Sequence, residues 1–148
     1  MMKTIAITAS LISLILAITG EGAQPKTGYS DEIVAATLIL EAGGEYYDGS
    51  MEAVNEVIVN RAAKRNKSEA MVCLQKYQFS CWNGKDTESG IGKAMLHPRW
   101  EEALRIVQSP TTNYTAGADH YHADYIKDPY WAKSMTITTK IGLHIFYK

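Results

Sequence analysis

The chain has little cysteine and no excess of charge of either sign, and both deficits exclude classes of protein. Its two cysteines, Cys73 and Cys81, are too few for a disulfide scaffold, and their spacing matches no strong metal-binding pattern. A formal net charge of -1 provides no basic surface for nucleic acid or for an anionic membrane. Two interpretations of the cysteines stay open, a small-loop disulfide and a pair of buried free thiols.

A long hydrophobic run is also missing. The apolar stretch of residues 5–18 is shorter than the roughly 20 residues that a membrane-spanning helix needs. It follows Lys3 and precedes small residues at 20–23, which is the order of a secretory signal peptide. We therefore expect a signal peptide over residues 1–23, a secreted or periplasmic protein, and no membrane contact in the mature form. Retention of the segment as an anchor is the alternative.

Residues 24–148 fit one globular domain that is large enough to bury a hydrophobic core. Helical periodicity dominates its first part, whereas residues 136–139 and 144–147 favour short strands. The pattern predicts an α+β domain, mainly helical with a small antiparallel sheet. We expect the protein to be a monomer.

The first predicted helix is apolar in nearly every direction around its axis, which places it in the middle of the domain. Ser30 is its candidate N-cap, and Gly43 and Gly44 are expected to end it in the left-handed conformation. Glu41 then lies in the last turn. A carboxyl group at the negative end of a helix dipole, beside apolar side chains, is biased toward its protonated form and can act as a general acid. The alternative is an exposed residue at a frayed helix end.

Two further amphipathic helices are predicted. The first runs from Ser50 to about Arg65, and another follows Pro98 with Trp100 in the core. The apolar stripe of the first consists of Met51, Val54, Ile58 and Ala62. Its residues expected to face outward are Glu52, Asn55, Glu56 and Lys64.

The last third of the chain is rich in histidine and tyrosine. His120 and His122 are two apart on a predicted strand and point the same way, which is how some zinc sites begin. A third ligand would have to converge on them, with Asp119, Asp124 or His144 as the candidates. We favour the alternative, in which the imidazoles form hydrogen bonds in a polar groove or core. Aromatic side chains with polar tips are also typical of carbohydrate grooves.

Three blocks of sequence, in order, resemble the SleB-type cell wall hydrolases, the family of the spore cortex-lytic enzymes. The blocks are Glu41-Ala42-Gly43-Gly44-Glu45 with residues 53–61, then residues 78–83, and then residues 121–147. The resemblance implies a lysozyme-like fold, a catalytic domain over residues 24–148, the peptidoglycan glycan strand as partner, and Glu41 as the catalytic residue. We expect no cofactor and no metal. Gly43 departs from the family pattern, in which an arginine is common at this position.

The chemistry that this resemblance implies is cleavage between N-acetylmuramic acid and N-acetylglucosamine. The usual hydrolase needs a second carboxylate, as nucleophile or base. A lytic transglycosylase does not, because one glutamate acts first as acid and then as base while the muramic acid's own 6-hydroxyl attacks. Glu45 and Asp48 are unconvincing as a second acid, so we favour the transglycosylase.

Other interpretations stay open at this point. They are a muramidase-type hydrolase with a second carboxylate, a zinc-dependent amidase, and a non-catalytic glycan-binding module. The expected substrate contacts are hydrogen bonds from Gln78 and Ser80 to the sugar, with Tyr121 and His122 holding the ring or tuning Glu41. Phe79 and Trp82 fit either the core or the groove.

Overall fold

The computed structural model describes residues 28–111 and 113–148, so the predicted signal peptide lies outside the described residues. Within them the chain forms five α-helices and then a three-stranded sheet, with 3₁₀ turns at Ser80–Trp82 and Tyr130–Ser134. The helices are α1 Tyr29–Ala42, α2 Ser50–Arg65, α3 Glu69–Leu74, α4 Thr87–Met95 and α5 Trp100–Gln108. The strands are β1 His120–Ala123, β2 Ile137–Ile141 and β3 His144–Tyr147. Across the described residues, no helix combines the length and the apolar character needed to cross a membrane.

Helix α1 is the centre of the domain. Residues 33–39 and Ala42 are buried, and the helix packs against all four other helices. The apolar pattern on every side of α1 is therefore explained by burial on every side. Its start differs from the prediction, because Gly28 is the N-cap and Ser30 lies inside the helix. The Gly28 carbonyl accepts hydrogen bonds from the N–H groups of Asp31 and Glu32, which closes the first turn before Ser30 can cap it.

The end of α1 confirms that Glu41 is in the last turn, but the expected left-handed glycine is wrong. Gly43 follows the helix with φ -63° and ψ -28°, a right-handed conformation, and its N–H donates to the Ile39 carbonyl at 2.9 Å. A Cβ atom at Gly43 would lie 2.5 Å from the Ile39 carbonyl oxygen. Close approach of the backbone, and not a positive φ, is what favours a glycine in this conformation of the helix end.

Helix α2 shows both what periodicity predicts and where it fails. The stripe predicted to be apolar is buried, but Asn55 and Glu56, expected to face outward, are only 1% and 5% exposed. The Glu56 carboxylate accepts hydrogen bonds from the backbone N–H groups of Tyr114 (2.8 Å), Thr115 (3.0 Å) and Gly117 (3.4 Å). These donors come from a loop far along the chain, so the helical pattern alone could not indicate that Glu56 is buried.

The sheet has the strand order β1-β3-β2, and both pairs are antiparallel. In the β1–β3 register Tyr121 lies opposite Phe146, and Ala123 lies opposite His144. Since opposed residues share a face of the sheet, Tyr121 and His144 project to one side, and His120 and His122 to the other. The Tyr121 side packs onto α2, where Phe146 is buried with Ala53 and Val57.

We expect Glu56→Gln to lower the free energy of unfolding by about 1–3 kcal/mol, because a buried amide cannot accept from all of these backbone donors. Urea unfolding followed by circular dichroism measures the change. Glu101→Gln is the matched control, since Glu101 is exposed on α5 and should shift stability by less than about 0.5 kcal/mol. Equal stability of the two variants would contradict the anchoring role of Glu56.

Candidate active site

A groove of about 940 Å³ runs across the protein where the end of α1 meets strand β1. Its walls come from residues 77–81 on one side and from Tyr125, Ile126 and residues 129–131 on the other. All the residues that the sequence proposed for the site line this groove, namely Glu41, Gln78, Ser80, Tyr121 and His122. The fold therefore brings together residues that are up to 81 positions apart.

Glu41 is partly buried, and its two carboxylate oxygens differ in their partners. Oε2 accepts a hydrogen bond from the Tyr121 hydroxyl at 2.8 Å, whereas Oε1 faces the Cys81 N–H at a longer 3.4 Å. Burial raises the pKa of Tyr121 well above its usual value, and the charge of Glu41 adds to this effect. Tyr121 therefore keeps its proton and acts as a permanent donor that orients one oxygen of Glu41.

Glu45, the second acid of the Glu41–Glu45 motif, lies outside the groove lining. Its Oε1 is 2.9 Å from His144 Nδ1, and its Oε2 accepts from the Leu143 N–H at 3.1 Å and the Ser50 hydroxyl at 3.3 Å. Both oxygens are thus occupied by protein groups. Glu45 joins the loop after α1 to the β2–β3 turn.

The other proposed residues differ in how free they are to meet a ligand. The Gln78 amide oxygen accepts from Arg65 Nη1 at 2.7 Å, which leaves its amide nitrogen as a donor, and Ser80 is exposed. His122 is buried with both ring nitrogens engaged, Nδ1 with the Ala123 carbonyl at 2.9 Å and Nε2 with the Tyr147 hydroxyl at 2.8 Å. Gln78 and Ser80 can thus meet a sugar directly, whereas His122 shapes the wall.

Phe79 and Trp82, for which core and groove were both open, are buried in the core, and Phe79 also borders the groove. The Trp82 indole N–H donates to the Thr37 hydroxyl at 2.9 Å, and Arg61 lies over the Phe79 ring at 5.1 Å. Sequence reasoning missed the exposed aromatic residues of the groove, Tyr77, Tyr125 and Tyr130, which are 74%, 75% and 89% exposed. The aromatic density of the last third was the available signal for two of them, whereas Tyr77 had none.

The zinc interpretation lacks a converging third ligand. His120 and His122 share a face as predicted, but His144 lies on the opposite face of the sheet. Asp119 pairs with Lys64 and His120, and Asp124 pairs with Lys140. In residues 28–111 and 113–148, no three His, Cys, Asp or Glu side chains form a group that could hold a metal ion.

Both cysteines are free and buried, which decides between the two interpretations left open by the sequence. Burial raises the pKa of Cys73 to about 12. Burial also raises the pKa of Cys81, and the negative charge of the nearby Glu41 adds to this effect. Both thiols are therefore protonated at neutral pH and poorly nucleophilic.

A groove with exposed aromatic rings and a few polar groups suits a ligand that has both apolar faces and hydroxyl groups. The model of the cell wall hydrolase family matches residues 44–147, which is most of the chain. This protein belongs to the cell wall hydrolase family. The match begins three residues after Glu41 and includes Glu45.

Two solved structures share the fold. The first is the catalytic domain of the germination-specific lytic transglycosylase SleB from Bacillus anthracis, with 22% identity, a TM-score of 0.63, and coverage of 84% of this chain and 99% of that chain. The second is the catalytic domain of the Bacillus cereus SleB protein, with 24% identity, a TM-score of 0.54, and coverage of 88% and 99%. They confirm the predicted lysozyme-like α+β fold. A comparison with curated protein sequences found no match.

We expect neither cysteine of the native protein to react with a chromogenic disulfide reagent within minutes, and both to react once urea unfolds the chain. The reason is that both thiols are buried and protonated. Absorbance counts the reactive thiols, and intact mass checks that no disulfide has formed. A mass lower by two hydrogens, with no thiol reacting in urea, would contradict the free state.

Proposed function

We propose that this protein is a lytic transglycosylase that cleaves peptidoglycan between N-acetylmuramic acid and N-acetylglucosamine, with Glu41 as both acid and base. Membership of the cell wall hydrolase family supports the substrate class. The observation that carries the mechanism is that Glu41 is the single carboxylate among the described residues that line the groove. A single acid suffices for a transglycosylase but not for the usual hydrolase.

One carboxyl group is enough to complete the reaction. Protonated Glu41 gives its proton to the glycosidic oxygen as the bond from that oxygen to C1 of the muramic acid breaks. The 6-hydroxyl oxygen of the same muramic acid then bonds to C1 and forms a 1,6-anhydro ring. Its proton returns to Glu41, so the enzyme ends in the state in which it began.

The two oxygens of Glu41 would divide this work. When the Tyr121 hydroxyl donates to Oε2, the acidic proton belongs on Oε1. Oε1 has the weaker contact, the 3.4 Å approach of the Cys81 N–H, and is the freer oxygen for proton exchange with the substrate. Tyr121 would thus select which oxygen reacts.

The muramidase alternative needs a second carboxylate about 5–9.5 Å from the first, facing the same sugar. Glu45 is the nearest in sequence, but its oxygens are held by His144, Leu143 and Ser50. It is also absent from the groove lining. The contacts of Glu45 therefore favour the transglycosylase over the muramidase.

The groove can make two kinds of contact with a glycan. The Gln78 amide nitrogen and the Ser80 hydroxyl can bond to N-acetyl or hydroxyl groups, and the exposed ring of Tyr130 can stack on a sugar face. Arg65 and Lys85 also line the groove, and their charges suit the carboxylates that peptidoglycan carries. These contacts support a glycan strand as the occupant.

We expect purified peptidoglycan treated with the protein to release 1,6-anhydro-muropeptides, and Glu41→Gln to reduce their release by about 10²–10⁴-fold, the usual contribution of a general acid and base. Mass spectrometry of the soluble fragments measures both. Glu88→Gln, an exposed residue on α4, is the matched control and should keep wild-type activity.

Fragments with a free reducing end would contradict the transglycosylase and direct attention to a second carboxylate. Retained activity in Glu41→Gln would remove Glu41 from the mechanism. Binding to peptidoglycan with no fragments from the wild type would favour the glycan-binding module. Activity that a chelator abolishes would favour the amidase.

We expect Tyr130→Ala to weaken binding to peptidoglycan about 3- to 10-fold, because it removes a stacking surface worth about 0.5–1.5 kcal/mol. Co-sedimentation of the Glu41→Gln variant, with and without this change, measures binding without turnover. Tyr46→Ala is a close control, because Tyr46 is also 89% exposed but does not line the groove. Equal losses from both changes would exclude a specific role for Tyr130.

A further inference from the structure

The two acids of the Glu41–Glu45 motif face different environments. Glu41 lines the groove, whereas the Glu45 side chain is 11% exposed and contacts the β2–β3 turn. A buried carboxylate outside the groove needs partners that repay its loss of hydration. Those partners form a path of contacts that runs from Glu45 through His144 and Tyr121 to Glu41.

Glu45 is fixed from several directions. Its Oε2 accepts from the Leu143 N–H and the Ser50 hydroxyl, and its main-chain carbonyl accepts from Arg99 Nη1 at 2.6 Å. Arg99 is itself held by the Glu102 carboxylate through contacts of 2.7 and 2.8 Å. Glu45 therefore has a defined position relative to α5 and to the sheet.

His144 is the next residue in the path. Its Nδ1 is 2.9 Å from Glu45 Oε1, although the ring N–H does not point along that line, so the contact is electrostatic more than a well-aligned hydrogen bond. Burial lowers the pKa of His144 against the opposing effect of Glu45, so a largely neutral imidazole faces the carboxylate near pH 7. The carboxylate holds the imidazole in place.

Tyr121 completes the path. The His144 ring meets the Tyr121 ring edge-on, with 4.9 Å between centroids and 87° between planes. The other aromatic neighbours of Tyr121 are Phe146 at 5.6 Å and Phe79 at 6.5 Å, and the Phe79 ring lies under the Arg61 guanidinium. Of these three rings, His144 is the closest and the one anchored by a carboxylate.

These contacts and the backbone together form a closed circuit of residues. Through the backbone, Glu41 connects to Glu45 by way of Gly43 and Gly44, and through space Glu45 connects to Glu41 by way of His144 and Tyr121. The backbone link is held by hydrogen bonds from the Gly43 and Glu45 N–H groups to the Ile39 and Ala42 carbonyls, and the link through space joins the end of α1 to the sheet. The spacing of four residues between Glu41 and Glu45 allows this circuit of residues to close.

We propose that Glu45 and His144 are a positioning pair, which holds the Tyr121 hydroxyl against Oε2 of Glu41 and so fixes the catalytic carboxyl. This role rests on the proposed function. It gives the second acid of the motif a purpose other than that of a second catalytic carboxylate. The pair acts on Glu41 only through Tyr121.

A double-mutant cycle tests this dependence. Glu45→Gln keeps an oxygen for the Leu143 N–H but removes the charge opposite His144, and Tyr121→Phe removes the donor to Glu41. We expect each change to lower kcat on soluble glycan strands about 3- to 30-fold, with KM changed less than about twofold. The double variant should be no slower than the slower single variant, because both changes break the same path.

Glu56→Gln separates positioning from loss of stability. It should destabilise the fold without changing the contacts between Glu45 and Glu41, so its effect on kcat should be small. In the double variant with Tyr121→Phe, the two fold-changes in kcat should multiply. His144→Gln, whose amide can still donate to Glu45, replaces Glu45→Gln in the cycle if that variant does not fold. Thermal unfolding of every variant accompanies the kinetics.

Effects of Glu45→Gln and Tyr121→Phe that multiply would overturn the proposal. So would loss of all activity in Glu45→Gln with activity retained in Tyr121→Phe, since Glu45 would then act on the substrate. A crystal structure of Glu45→Gln adds a test that needs no activity, in which the Tyr121 hydroxyl should lie beyond hydrogen-bonding distance of Glu41. An unchanged contact there overturns the pair. Reducing-end products from the wild type overturn only the proposed function.

Discussion

The hydrogen bond from the Tyr121 hydroxyl to Glu41 joins the two halves of this fold. It connects the end of the central helix to the first strand of the sheet, across 80 residues of sequence, at 2.8 Å. For it to form, α1 must be buried on all sides and must end at the sheet, and β1 must turn Tyr121 toward α2. The position of the candidate acid is therefore a property of the whole domain.

The polar side chains of α2 secure the sheet side of this contact. Asn60 Nδ2 donates to the Ala118 carbonyl at 2.8 Å, and Arg61 Nε donates to the Asp119 carbonyl at 2.6 Å, immediately before β1 begins. Glu56 holds the preceding loop through three backbone N–H groups. Such buried polar groups are costly unless they are paired, and here the Asn60 and Arg61 pairings also fix where β1 starts. Helix α2 thus sets the position of Tyr121, although its apolar stripe does not line the catalytic end of the groove.

Local patterns predicted the parts of the structure that depend on local interactions. The burial of α1, the bounds of α2, the core position of Trp100 and strand β3 follow from periodicity and propensity. Helix α4 was not predicted, because Gly90 and Gly92 weaken its helical pattern. The burial of Glu56 and the role of Tyr77 in the groove depend on partners from distant segments, which no single window of sequence contains. Glu41 could be proposed as the acid from the sequence because its helix end and its motif are both local.

The proposed mechanism explains why one accurately placed acid can be enough. The attacking 6-hydroxyl belongs to the sugar that is being cleaved, and well-oriented intramolecular reactions reach effective molarities of about 10⁵–10⁸ M. The protein then has no water to activate, and the substrate supplies what a second carboxylate would otherwise provide. The remaining demand is that one proton be placed on one oxygen and retrieved from the same place. A carboxyl group meets that demand when one of its oxygens is held by a hydrogen-bond donor. The fold therefore has to hold that donor, the Tyr121 hydroxyl, in a fixed position.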